Sequence, residues 1–123
     1  MKNICNPKMS FSECELEILR NAVDIAEKRS AIDKVRSPGV QEIISIVEMF
    51  LKSKKLICYG GTAINNILPK KDQFYNYDQE IPDYDFFSDN ALDDAKELAN
   101  IYYKEGFTEV VASVGMHFCT YNV

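Results

Sequence analysis

Apolar side chains recur through the first part of the chain at intervals of three and four residues. Leu16, Leu19, Val23 and Ala26 trace one stripe, and Ser12 with Glu15 reads as a capping box ahead of it, so a helix is predicted to run to about Val35. Ser37, Pro38 and Gly39 interrupt it. Ser37 suits an N-cap and Pro38 a first-turn position. They open a second helix that carries Val40, Ile43, Ile44, Val47 and Leu51 and ends among Lys52, Lys54 and Lys55, cations that suit a helix C-terminus.

The period then shortens. Residues 56–59 form an apolar run of strand length closed by Gly60 and Gly61, and residues 62–68 fit two helical turns before Pro69. Residues 70–80 make a polar loop holding Phe74, Tyr75 and Tyr77. Residues 81–88 read as a second strand, with Pro82 near its start, where a missing amide donor is tolerated. Leu92, Ala95, Leu98, Ala99 and Tyr102 trace a helical face over residues 90–105, stopped by Gly106. Tyr103 is placed with them in the core. Residues 107–113 and 116–123 look like a hairpin turning at Gly115. The order predicts an α+β fold, a mixed sheet packed on helices with further helices in front.

A chain of 123 residues with 46% hydrophobic positions supports one domain. Its 19 acidic against 14 basic residues argue against a surface that holds phosphate backbones by bulk charge, so any nucleic-acid contact must be local. Cys5, Cys14, Cys58 and Cys119 show no zinc spacing and follow no signal peptide, which predicts reduced, mostly buried thiols. No apolar run approaches the ~20 residues of a membrane helix. The chain reads as soluble and cytoplasmic, without a membrane partner.

Chemistry concentrates in two stretches. In "YGGTAINNILP", absent β-carbons at Gly60 and Gly61 let a ligand approach the backbone where a helix begins and its first amides are unpaired, a place suited to a triphosphate. Two glycines also make an ordinary tight turn, and neither a P-loop lysine nor a third glycine of a dinucleotide fingerprint follows. In "IPDYDFFSD", strand alternation puts Asp83 and Asp85 on one face, their α-carbons ~6.5 Å apart, with Tyr84 and Phe86 on the other. Paired carboxylates repel unless a hard divalent cation joins them. Solvated acids on an edge strand are the plainer alternative. His117, the single histidine, is assigned no role.

Together these stretches resemble the DNA polymerase β-like nucleotidyltransferase superfamily, whose signature is a Gly-Gly or Gly-Ser turn opening a short helix, followed by Asp-x-Asp on a strand. The longer strings look most like the poly(A) polymerase catalytic subunits of large cytoplasmic DNA viruses. The resemblance implies residues 1–36 as an N-terminal helical segment and residues 37–123 as a catalytic core of the palm type, incomplete at its C-terminal end. It implies template-independent addition of AMP from ATP to an RNA 3′ end with Mg2+ or Mn2+. Gly60, Gly61 and Thr62 would hold the nucleotide, and Asp83 and Asp85 would be the catalytic metal ligands. A second copy or a processivity subunit is the implied partner, and host cytoplasm or virion the implied location.

Two departures qualify the resemblance. The interval between Gly61 and Asp83 is longer than in compact members, so the loop with Lys70, Lys71 and its aromatics is an addition, with a solvated loop favoured over a role in holding nucleotide or RNA. The superfamily's third carboxylate lies on a strand beyond residues 116–123, so the chain is expected to be a fragment that binds metal-nucleotide and catalyses poorly. A nucleotidyltransferase toxin acting on another acceptor shares "GGTA". A glycosyltransferase would leave the Gly-Gly-Thr turn unexplained, and a calcium loop from Asp83 fails because Ser88 stands where glycine is needed.

Overall fold

The computed structural model describes residues 4–123, so the first three positions of the 1–36 segment lie outside the described residues. Four helices run α1 Phe11–Val35, α2 Pro38–Lys54, α3 Gly60–Ile67 and α4 Ala91–Lys104. A 3-10 turn covers Lys70–Asp72. The strands are β1 Ile57–Tyr59, β2 Asp85–Phe87, β3 Ser113–Val114 and β4 Tyr121–Asn122. The α+β class holds, but the strands form two antiparallel pairs, β1 with β2 and β3 with β4, and not one mixed sheet.

The core is a wedge between α2, α4 and the inner face of β1–β2. Val47, Phe50 and Leu51 of α2 meet Leu98 and Tyr102 of α4, and Tyr84 and Phe86 close the cluster from the second strand segment. Both core helices end in the same way. Lys55 adopts φ 55°, with the amides of Lys55 and Leu56 donating to the carbonyls of Lys52 and Leu51. Gly106 adopts φ 96°, with Gly106 and Phe107 donating to Tyr103 and Tyr102. These are Schellman closures. Each sends the next apolar residue back onto the core, Leu56 leading into β1 and Phe107 packing edge-on against Tyr102 at 5.9 Å between centroids.

Two polar anchors fix the wedge. Lys54 at the end of α2 donates to Asp94 and Glu97 of α4, and Ser88, just past β2, donates to the other oxygen of Asp94. Burial pushes the Asp94 carboxyl up, but the hydrogen bonds from Lys54 and Ser88 outweigh it and hold it below the ordinary carboxylate range. Asp94 and Glu97 in turn raise the Lys54 ammonium. The second anchor is Tyr84, whose hydroxyl donates to Glu48 at 2.6 Å; burial first, then that carboxylate, raises the phenol.

Several sequence expectations are corrected. The capping box is Ser10 with Glu13, because Ser10 is the last extended residue and Ser12 is already helical. Residues 81–84 lie outside the paired strand, because β1 has only three residues and the chain leaves it at Gly60, so only Asp85–Phe87 find partners. Residues 107–112 are not strand: Glu109 takes φ 60°, and the hairpin shrinks to Ser113–Val114 against Tyr121–Asn122. Tyr103 points outward while Tyr102 is buried. The cysteines are neither all reduced nor buried. The turn before α1 folds Cys5 to within 5.2 Å (Cα–Cα) of Cys14, a separation that suits a disulfide, and the two are bonded; Cys58 and Cys119 are free and exposed. Among the described residues no helix is long and apolar enough to cross a membrane.

Candidate nucleotide and metal site

The site is built where β1 turns into α3. Tyr59 pairs with Asp85 across the antiparallel ladder, so the residue after Tyr59 lies beside the Asp85 side chain. That residue is Gly60, at φ 76°, and a β-carbon there would stand 2.5 Å from Asp85 Oδ2. Glycine is required twice over, by the left-handed backbone and by the carboxylate that fills the space of a side chain. The pairing therefore joins the Gly-Gly turn to the acidic strand at atomic contact.

Burial alternates through residues 81–88 even where ladder bonds are missing: Asp83, Asp85 and Phe87 are exposed, and Tyr84, Phe86 and Ser88 are half-buried. Asp83 and Asp85 therefore share the open face, as predicted, although only Asp85 belongs to the ladder. The inward residues carry the anchors, Tyr84 to Glu48 and Phe86 to the core cluster. The strand's apolar half is thus what holds its acidic half outward.

Gly61, Thr62, Asp83 and Asp85 line one cavity of about 270 Å³ together with Tyr75, Tyr77 and Glu80. Thr62 is buried there, whereas Gly60 lies outside the lining and meets it only through the Asp85 side chain that abuts it. A larger cavity of about 770 Å³ adjoins the same two aspartates on the side of Tyr59, Phe87 and the β3–β4 hairpin. Asp83 and Asp85 stand between the two. Besides Gly61, Ile81 and Pro82, the smaller cavity is lined by carboxylates and hydroxyls with no basic residue, a set of hard oxygen donors that suits a divalent cation and admits a phosphate ester only with one. Among the described residues no three His, Cys, Asp or Glu side chains converge into a cage of their own.

Three residues of this wall, Tyr75, Tyr77 and Glu80, come from the loop for which the sequence favoured a solvated reading over a hold on nucleotide or RNA. Lys70 and Lys71 are indeed exposed, but the loop's second half is tied down. Asn65 of α3 is fully buried, and its Oδ1 accepts from the amides of Phe74 and Tyr75 at 2.8 and 2.9 Å. Glu80 accepts from the Asn76 amide at 2.8 Å. The available signal was the first asparagine of "INN", four residues after Gly61 and hence on the same helical face.

With this geometry in view, comparison with known proteins decides the family. The sequence model of the family described as poly(A) polymerase catalytic subunit matches residues 45–123. The chain belongs to that family. A protein named as a poly(A) polymerase catalytic subunit in an African swine fever virus isolate is 34% identical over 123 residues, all of this chain and 23% of that protein. A similarly named mimivirus protein is 31% identical over 97 residues, 73% of this chain and 16% of its own length. Among solved structures, the Megavirus polyadenylate synthase superposes with a TM-score of 0.68 at 26% identity, covering 95% of this chain and 26% of that one. The chain thus spans under a quarter of the length of these curated family members. Its match to a viral polyadenylate synthase agrees with the α+β nucleotidyltransferase fold.

Proposed function

We propose that this chain carries the nucleotide-binding and metal-binding part of a poly(A) polymerase catalytic subunit, with ATP and an RNA 3′ end as substrates. The observation that carries this reading is the contact between the Gly60 backbone and Asp85, which joins a turn suited to phosphate with a pair of exposed carboxylates, in a chain of this family. Gly60 and Gly61 leave the first amides of α3 open to the triphosphate, and Thr62 offers a hydroxyl. Asp83 and Asp85 would hold Mg2+ or Mn2+. Such ions, when bound, neutralise charge on attacking and leaving oxygens. The RNA 3′ hydroxyl would attack the α-phosphorus of ATP, forming the new phosphodiester and releasing pyrophosphate. Residues 1–36 would form a helical segment outside the catalytic core.

The test is incorporation of labelled AMP onto an RNA primer by the complete gene product. Asp83→Ala and Asp85→Ala should each lower incorporation by roughly a hundredfold or more. Undiminished incorporation in either variant would remove that residue from the metal site. A second reading is binding of metal-nucleotide without catalysis. It is favoured by the lack, among the described residues, of a third metal-ligating side chain converging with the pair. Nucleotide binding with no primer extension would select it.

A further inference from the structure

We propose that Tyr75 is a nucleotide-contacting residue whose hydroxyl donates to the phosphate chain seated at Gly61, and that Asn65 is the positioning residue that holds it there. The inference rests on the proposed nucleotide site and extends it to the loop that precedes Asp83.

A β-carbon added at Gly61 would lie 2.5 Å from Tyr75 Oη and 2.9 Å from its Cε2, so the phenol is seated directly against the turn. Gly61 lacks a side chain where the phenol needs the room. Tyr75 approaches with its hydroxyl and ring edge, which suits donation to an oxyanion; stacking on a base would present the ring face.

The position is enforced from beneath. Gly61 and Asn65 are four apart on α3 and therefore neighbours on one face. Asn65, fully buried, accepts from two successive loop amides with a single oxygen, so whatever backbone it captures must lie over Gly61. Tyr75 stands within 4.7 Å of the Phe74 ring and 6.2 Å of the Tyr77 ring (centroids), which limits its freedom to swing away.

The cavity wall also has a polar group without a partner. The Tyr77 hydroxyl, on the cavity wall, is buried and makes no hydrogen bond among the described residues. Buried polar atoms are almost always satisfied, and one that is not marks a place where a missing ligand or water belongs. With Asp83, Asp85 and Glu80 as the ionisable groups of the wall and no lysine or arginine among them, the hydroxyls of Tyr75, Tyr77 and Thr62 are the side-chain donors left for phosphate oxygens. A neutral donor also avoids competing with a cation for the two aspartates.

The experiment is titration of Mg2+·ATP, and of Mn2+·ATP as a second probe, into the complete gene product by calorimetry, with thermal unfolding followed in parallel. Tyr75→Phe keeps the ring and removes one donor, and should weaken binding roughly tenfold to a hundredfold with an unchanged unfolding midpoint. Asn65→Ala should weaken binding similarly, and in a Tyr75→Phe background should add little further loss, because it acts through the same hydroxyl. Additive losses would show that Asn65 does not work through Tyr75. Unchanged binding in Tyr75→Phe overturns the proposal while leaving the site reading intact, provided Asp85→Asn still abolishes binding. Tighter binding overturns it too, by showing the hydroxyl to obstruct the site. Failure of the unsubstituted protein to bind either complex would overturn both readings together.

Discussion

The two helices that open the chain both carry apolar stripes, the second the more apolar of the two, and they meet opposite fates. On α2, Phe50 is 4% exposed, packed with Val47 and Leu51 against α4 and the second strand segment. On α1, Phe11 is 78% exposed and Leu19 61%, with Leu16 and Val23 also in the open; only Val35, at the end nearest α2, is buried. An apolar stripe needs an opposing surface to become a core. α2 has one because the chain folds back on it twice, through β1–β2 and through α4, whereas α1 projects past the wedge and is held by its own backbone bonds, its capping box and the Cys5–Cys14 link.

The contrast can be broken most strongly from the α2 side. Phe50→Ala should cost about 3–5 kcal/mol in denaturant-monitored unfolding, since the ring lies between Phe86 and the α4 face with nothing able to fill the gap. A loss below about 1 kcal/mol would mean that the wedge is not the stabilising unit.

Next comes the ionic anchor. Asp94→Asn should cost about 1–3 kcal/mol by weakening hydrogen bonds from Lys54 and Ser88 to a buried charge. The sign with pH follows from the shifts. Asp94 is depressed on folding, so its contribution is present above the ordinary carboxylate range and is lost as pH falls through its lowered folded value. Lys54 is raised, so its contribution is present below the ordinary lysine value and is lost as pH rises through the raised one. The urea midpoint should hold level between these limits and fall at both ends, and Asp94→Asn should flatten the acid limb.

On α1 the effects shrink. Ser10→Ala should cost about 1 kcal/mol by removing the hydroxyl that accepts from the Glu13 amide and donates to the Glu13 carboxylate, while the residue 10 amide keeps its own bond to Glu13, read as fraying of α1 in amide exchange. Leu19→Ala should stay within about 0.5 kcal/mol, because an exposed leucine loses little on truncation. A cost near that of Phe50→Ala would show that α1 is covered in solution, which a change in sedimentation with protein concentration would confirm.

Legibility from sequence followed the range of the interactions. Helix boundaries at Val35, Ser37–Pro38 and Gly106 were readable because caps and breakers act within one turn. The capping box was missed by two positions, since Ser10 and Ser12 stand equally well before a glutamate three residues on. The strand at 81–88 was read too long, because alternation reports which way side chains face, and hydrogen bonding also needs a neighbouring strand of matching length. Its side-chain alternation was right, so the shared face of Asp83 and Asp85 was legible although the ladder was not.

The sequence by itself determined the Gly60–Gly61 turn, the paired aspartates and the helices around them, since each rests on local backbone preference and period. Tertiary structure alone decided that Asp85 fills the space beside Gly60, that Asn65 draws the 70–80 loop over Gly61, and that α2 is buried where α1 is bare. Each of these depends on which distant segment arrives opposite, and residues of identical local propensity become core, wall or surface according to that encounter.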